Sequence, residues 1–418
     1  MLRFFRRLPR WRFAAFLAIM GPGLVTSTAD NDAGGIATYS AVGAAYGYQM
    51  LWLLLIITPV LAVVQEMVAR MGVVTSKGLS DLIREQFGVK TTAFAMLTLL
   101  IANVGTTIAD FVGVAAASEL LGIPKFLTVP LAAAFVWFVV VRGNYRRAEK
   151  IFLALSMVFI AYVFAGFLAR PNWSEVARGL FIPTIIPETG FILLAIATIG
   201  TTITPWMQFY LQGSIVDKGL TAEDYPYARA DVLFGAFVTD FFSFFMIVAT
   251  GATLHVSGIH VIESAEQAAQ ALAPIAGDLA GALFAIGLLG ASLLATSIIP
   301  LSTAYATCEA FGWERGVNQL PEDAPIFYGL YAGMIVLGVV VALIPGAPVF
   351  TILILSQVVN GVLLPIILIL MLRLTNDKRL MGEYVNSRIA NVLGWVTAIV
   401  LIVATLALLL SSLVNLRG

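Results

Sequence analysis

The sequence predicts an all-α polytopic membrane protein of eleven transmembrane helices, arranged as an inverted repeat of five plus five, and three observations predict it. Hydrophobic residues make up 60% of the 418-residue chain and charged residues only 11%, against roughly a quarter charged in an average soluble domain. Apolar stretches long enough to cross a bilayer recur along the whole length, and no polar stretch between them is long enough to form a second domain. Two of these stretches, the first and the sixth, are interrupted in the middle by residues that end helices. A single membrane domain over residues 1–418 is the economical reading.

The spans fall at about 13–46, 48–72, 91–121, 124–141, 147–169, 189–214, 226–254, 277–308, 325–344, 348–373 and 389–415, each near or above the roughly 17 to 25 residues a bilayer requires. Inside the first, Asp30-Asn31-Asp32-Ala33-Gly34-Gly35 places two carboxylates and two glycines where an uninterrupted helix would be apolar. Inside the sixth, Thr201-Thr202-Ile203-Thr204-Pro205-Trp206 carries a proline that removes a helical donor, a loss tolerated at membrane depth only where protein or a cavity compensates it. Odd spans run outward and even spans inward, so the two broken spans cross in opposite directions, five helices apart. That defines a first repeat of about 13–169 and an inverted second repeat of about 189–373, with the helix at 389–415 outside both. Paired discontinuous helices of this kind build the binding sites of secondary transporters. The loop Ser257 to Gly277, with Glu263 and Glu266 among alanines, predicts a surface helix.

Orientation follows from the basic residues. Arg3, Arg6, Arg7, Arg10 and Arg12 precede the first span, and 20 of the 24 Lys and Arg residues lie on that same side. The amino terminus is expected in the cytoplasm and the carboxyl terminus outside, in a multi-pass protein of the plasma (inner) membrane. The basic leader has no small-residue cleavage site before the polar break, so it is expected to stay on the mature chain. A net charge of zero removes the case for nucleic acid as a partner. The single Cys308 excludes an internal disulfide and any multi-cysteine metal site. No zinc-protease motif, phosphate loop or serine elbow occurs in a suitable context, which argues against an enzyme. No obligate protein partner is evident; the expected partners are the lipid bilayer and whatever the breaks hold.

Charged side chains inside a membrane face a polar cavity, a partner or a bound ion. Each break leaves carbonyls unpaired at the end of one half-helix and amides at the start of the next. With Asp32, Asp30, Asn31 and the Thr204 hydroxyl, the breaks offer an all-oxygen environment, and the backbone carbonyls of Thr201 and Thr202 add to it. Hard divalent ions take carboxylate, carbonyl and water ligands, whereas softer metals gain from imidazole or sulfur. Neither His255 nor His260 lies within a predicted span, and Met207 is the one sulfur near a break. Asp110 and Asp240 are further intramembrane carboxylates, candidates for a hydrated pathway or for coupling. Glu66 and Arg70, at i, i+4 spacing, read as a structural ion pair.

Gly21-Pro22-Gly23, the Asp32-Ala33-Gly34-Gly35 break, the segment Gln65 to Thr75, Ala109-Asp110-Phe111-Val112-Gly113, Thr202-Ile203-Thr204-Pro205-Trp206 and Ser356-Gln357 together resemble the Nramp family of divalent metal transporters. The order and spacing agree over nearly the whole chain, and the resemblance implies a LeuT-like fold. Asp32 matches the family aspartate. Ala33 stands for the family proline, Gly35 for the metal-binding asparagine, Thr204 for the metal-binding methionine and Trp206 for the histidine. Gln357 matches a position that reaches the ion in some states.

These departures resemble the divergent Nramp-related magnesium transporters. A hydroxyl in place of the methionine sulfur removes the soft ligand that favours Mn²⁺ and Fe²⁺. Gly35 enlarges the cavity, which suits an ion that keeps several waters. The resemblance also implies proton coupling through the sixth-span histidine, a third-span acid and ninth-span arginines; here only Asp110 remains, so coupling is expected to be weak or absent. The expectation is a transporter with no cofactor whose substrate is hydrated Mg²⁺, and Mn²⁺ as well. Two alternatives stand beside it: a proton-coupled Mn²⁺/Fe²⁺ importer of the ordinary type, and a sodium-coupled carrier of an organic solute.

Overall fold

Both predicted interruptions divide their helices. The computed structural model describes residues 22–141, 159–316 and 319–415, which are helical with no strand among them. The first span is split into α1, Pro22–Asp30, and α2, Ala33–Tyr46. Four helices follow, α3 at Leu51–Thr75, α4 at Leu79–Leu120, α5 at Lys125–Val141 and α6 at Ile160–Leu168, and then a short α7 at Trp173–Phe181. The sixth span is split into α8, Thr189–Thr202, and α9, Pro205–Asp217. Beyond it lie α10 at Tyr225–Thr250, a short α11 at Ala265–Ala269, α12 at Ala280–Phe311, α13 at Pro325–Ala342, α14 at Val349–Asn376 and α15 at Arg388–Asn415.

Three elements differ from expectation. The helix of the third span begins at Leu79 rather than near 91, because an amphipathic turn precedes it: Leu79, Leu82 and Ile83 are buried while Glu85 is exposed, and Gly88 at φ 74° redirects the chain into the span. Its charge keeps it out of any reading based on apolar length. The helix α7 was not predicted; Asn172 caps it by accepting from the Ser174 amide at 3.2 Å. The loop at 257–277 does contain a helix, but only α11 and a few short turns, with Ala265, Ala268 and Ala269 packed inward and Glu263 and Glu266 exposed. Most of the fifth predicted span, the Arg3–Arg12 leader and the Arg142–Lys150 cluster lie outside the described residues.

Two sets of helices carry the packing. In one, α3 lies along α10, with α1, α2 and α9 against them; in the other, α4 lies along α12, with α13 and α5 against them. The helix α14 stands between the sets, touching α8, α4 and α2. The outermost helix, α15, has most of its apolar surface uncovered, with Ile399, Val403, Leu406 and Leu409 exposed. Such a helix is stable only against lipid tails. Buried glycines allow the close crossings: a Cβ at Gly361 would fall against the Ile196 carbonyl, and one at Gly200 would meet the Gln357 carbonyl and the Gly361 Cα at 2.7 Å. Close approach through small residues replaces the hydrophobic drive that lipid does not supply.

A ladder fixes α1 against α10. Asp231 accepts from the Gly23 amide at 2.7 Å, Thr239 donates to the Ser27 carbonyl at 2.7 Å, and Ser243 donates to Asn31 at 3.3 Å. These α10 residues recur every four or eight positions, one face of a helix.

Gly361→Ala is expected to destabilise the protein by about 1–3 kcal/mol through overpacking, read as a lower melting temperature in detergent. Gly213→Ala, at a helical site with nothing within 4 Å of the added carbon, should instead hold or raise it, by about 0.5–1 kcal/mol. Equal effects would refute the close crossing of α8 and α14.

Candidate functional site

The chain leaves helical geometry at Asn31 and Asp32 and again at Ile203 and Thr204. At the first break Asp32 caps α2, accepting from the Gly35 amide at 2.6 Å. At the second, Thr204 occupies the corresponding position before α9, but its hydroxyl makes no capping bond. Pro205 has no N–H to give back, so the last carbonyls of α8 face the break without a backbone donor from that residue. Every predicted residue at the two breaks is buried.

Gly35 sits at the centre. A Cβ there would lie 3.0 Å from the Asp30 carbonyl oxygen, 3.1 Å from the Thr201 hydroxyl and 3.4 Å from an Asp32 carboxylate oxygen. Three oxygens from both breaks therefore converge on Gly35, closely enough that an added Cβ would press on them. Thr201 Oγ1 has no hydrogen-bond partner. Gln357, from α14, closes another side and donates to both Asp32 oxygens at 3.3 and 3.4 Å. It is held in turn by Asn360, which donates to Gln357 at 2.8 Å and to Thr106 of α4 at 3.0 Å. Among the described residues no three carboxylate, imidazole or thiol groups converge tightly enough to hold one bare ion.

The remaining predicted residues divide. Asp110 reaches the same place from α4, accepting from the Ala33 amide at 3.3 Å while its second oxygen stays unpartnered. Asp30 and Thr204 face each other on the α10 side of the break, and neither Asp30 oxygen nor Thr204 Oγ1 has a hydrogen-bond partner. Asp240 lies close enough to Asp30 for their charges to interact. Asn31 turns away from this cluster: its amide donates to Thr239 at 2.9 Å and its oxygen accepts from Ser243, so its side chain is a tether between α1 and α10. Thr202 donates to the Thr198 carbonyl at 2.7 Å and meets the Tyr39 hydroxyl at 2.8 Å, which leaves its own carbonyl as the group it offers. Trp206 is fully buried and packs edge-on to Tyr210 at 6.0 Å. Met207 does not present a free sulfur, because Gln65 donates to it at 3.0 Å.

Both ends are closed. At the far end of α2, Tyr46 donates to Glu188 at 2.5 Å; a cavity of about 630 Å³ lies beyond it, lined by Tyr48, Arg170, Glu175, Arg178 and His255 among others, and by none of the break residues. At the opposite end Arg70 pairs with Glu66 at 2.9 Å and donates to Asn386 at 2.7 Å and to the Tyr384 carbonyl, while Tyr225 donates to Glu66. The predicted ion pair is therefore present, and it ties α3, α10 and the segment before α15 together. Arg70 is the only buried basic side chain among the described residues, so Asp30, Asp32, Asp110 and Asp240 have none beside them.

The sequence matches the family described as natural resistance-associated macrophage protein-like over residues 23–411. The chain belongs to the Nramp family. Its Nramp relatives include the divalent metal cation transporter MntH of Klebsiella pneumoniae strain 342, 28% identical over 400 residues and covering 92% of each chain. Another is MntH of Erwinia tasmaniensis, 27% identical over 407 residues, with 96% of this chain and 95% of the relative covered. Among solved structures, the manganese transporter of Eremococcus coleocola superposes with a TM-score of 0.79 at 22% identity, over 96% of this chain and 87% of that one. MhsT, in complex with L-phenylalanine, superposes at 0.60 with 16% identity, covering 94% and 97%. The fold of this Nramp chain is LeuT-like, and the protein is a multi-pass integral membrane protein and no enzyme.

The Gln357–Asp32, Asn360–Thr106 and Ala33–Asp110 bonds were not legible as site contacts in the sequence, since each joins residues on separate helices. Asn31 as tether had one available signal, the polar recurrence of Asp231, Gly235, Thr239 and Ser243 on one face of α10. Asn31→Ala is expected to lower stability by about 1–3 kcal/mol, the cost of leaving buried partners unmatched. In a double-mutant cycle, Asn31→Ala with Thr239→Ala should cost less than the sum of the two. Strict additivity of the melting data would remove the tether.

Proposed function

We propose that this chain imports hydrated divalent cations by alternating access, Mg²⁺ foremost and Mn²⁺ as well, with weak or no proton coupling. The carrying observation is the convergence on Gly35 of three oxygens, from Asp32, Thr201 and the Asp30 carbonyl. A small hard cation suits such ligands, because Mg²⁺ takes oxygen donors, keeps several waters and is held by one or two carboxylates rather than by a full protein cage. Asp32 supplies the charge. Gln357 orients Asp32 through its NH₂ group, and its amide oxygen is the group it can turn to the ion or its water. Thr204 and the Thr201 and Thr202 carbonyls complete the polar wall at the second break, Asn31 fixes the break in place, and Trp206 fills the position of a proton-carrying group with an apolar wall.

The driving force in this reading is the membrane potential. For a doubly charged ion it supplies about 4.6 kcal/mol per 100 mV, twice the roughly 2.3 per charge. Asp110 and Asp240 line the route. Two repeats, about 13–169 and 189–373, would exchange the open side as the set containing α1, α2, α3, α9 and α10 rocks against the set built on α4 and α12; the division of the packing supports this. The distribution of basic residues supports an amino terminus in the cytoplasm and residence in the inner membrane.

A second reading, proton-coupled Mn²⁺ or Fe²⁺ import, draws on the relatives named as manganese and divalent metal transporters and on the unpartnered Asp110 oxygen. Uptake into proteoliposomes with an internal pH dye separates the two. Mg²⁺ flux without acidification is expected, and Asp32→Ala should reduce it to background. Strong Mn²⁺ preference with acidification would overturn the proposal.

Restoring the family side chains makes a sharper test. Gly35→Asn with Thr204→Met should shift the Mn²⁺ over Mg²⁺ preference by about tenfold, or ~1.4 kcal/mol, in competition uptake. An unchanged ratio would mean that these two positions do not set selectivity.

A further inference from the structure

Resting on the cation reading of the breaks, one further pair of carboxylates calls for an occupant. Asp32 and Asp110 share the amino end of α2, whose N–H groups reach both, and a helix amino end favours negative charge. Asp30 and Asp240 have no such support. Asp30 ends α1, where the exposed backbone groups are carbonyls, and Asp240 lies inside α10. Both are buried, and all four of their carboxylate oxygens lack a hydrogen-bond partner.

Most of the surrounding hydroxyls give their protons elsewhere. Thr58, beside Asp240, donates to the Leu54 carbonyl at 2.8 Å. Thr202 gives its proton to Thr198, so the Tyr39 hydroxyl, near both carboxylates, donates to Thr202. Thr239 and Ser243, on the same face of α10, donate to the Ser27 carbonyl and the Asn31 oxygen. Thr204 Oγ1 is the exception: it is 1% exposed, has no partner, and faces Asp30. The result is a cluster of oxygen lone pairs with two formal negative charges and no basic side chain.

We propose that Asp30 and Asp240, with the Thr204 hydroxyl, form a second station for a hard divalent cation, on the α10 side of the break and separate from the space at Gly35. Two carboxylates match the charge of one divalent ion. An ion held by Asp32 and Asp110 leaves Asp240 uncompensated, and Asp30 lies near Asp32 as well as Asp240, so the two stations adjoin and fill together or in succession along one path. The Thr204 hydroxyl belongs to this station and the Thr201 hydroxyl to the first, which gives the two threonines of the second break different work.

The test counts ions. Purified full-length protein in lipid nanodiscs is dialysed against saturating Mn²⁺, and free Mn²⁺ is read by its paramagnetic resonance signal. Two Mn²⁺ per wild-type chain are expected; Asp240→Asn and Asp30→Asn should each keep one, with monodisperse elution confirming that the isosteric variants fold. Asp32→Asn should also keep one, the ion at the second station. A single Mn²⁺ in the wild type, or two in Asp240→Asn, overturns the second station. Failure of the underlying reading shows separately, as Mg²⁺ flux that survives Asp32→Asn whatever the ion count.

Discussion

Four carboxylates lie in the membrane interior of this protein without a basic side chain beside them, and the rest of the structure is arranged around that charge. An unpaired carboxylate in a medium of low dielectric is costly, and protein fields there are weakly screened. Two of the four are supported locally, by the amides at the start of α2 that reach Asp32 and Asp110. What remains asks for a positive occupant. That demand explains why both interrupted helices turn oxygen atoms inward, and why sulfur and imidazole are kept elsewhere, Met207 bonded to Gln65 and His255 bonded to the Ala44 carbonyl at the distant end of α2.

Backbone accounting imposes the second condition. Broken helices survive at membrane depth only when neighbours satisfy what the break exposes. Here α10 does much of this, with Thr239 taking the Ser27 carbonyl and the Asn31 amide together. Gln357, braced by Asn360 and Thr106, does the same for Asp32 from the other side. Glycine makes both contacts possible, since any side chain at Gly34 would occupy the place of the Gln357 amide. Packing at Gly34 and the proposed ion contact at Gly35 are therefore assigned to adjacent residues for unrelated reasons.

Much of this was written in the linear pattern. Interruptions at Asp30–Gly35 and Thr201–Trp206 stand out because charge, glycine and proline are foreign to a membrane helix, and each became a real break within a residue or two. Spans were legible because hydrophobic length is a local property. The amphipathic turn before Gly88 and the helix α7 were missed because their burial is decided by tertiary neighbours rather than by apolar runs. For the same reason the sequence grouped Asn31 with Asp30 and Asp32, although its side chain points to a different helix, and it could not say which threonine hydroxyl faces which aspartate. Periodicity tells which residues share a face; only the fold tells what that face meets.

The closures at the two ends share no side chain with the breaks. Tyr46 and Glu188 meet at one, Arg70, Glu66 and Tyr225 at the other, and each contact joins elements that must separate for solvent to enter. In the proposed transport cycle, substitution at those doors alters how often the chamber is visited and leaves its chemical preference untouched. Tempo and discrimination are thus properties of different atoms, and a lineage is free to adjust one while conserving the other.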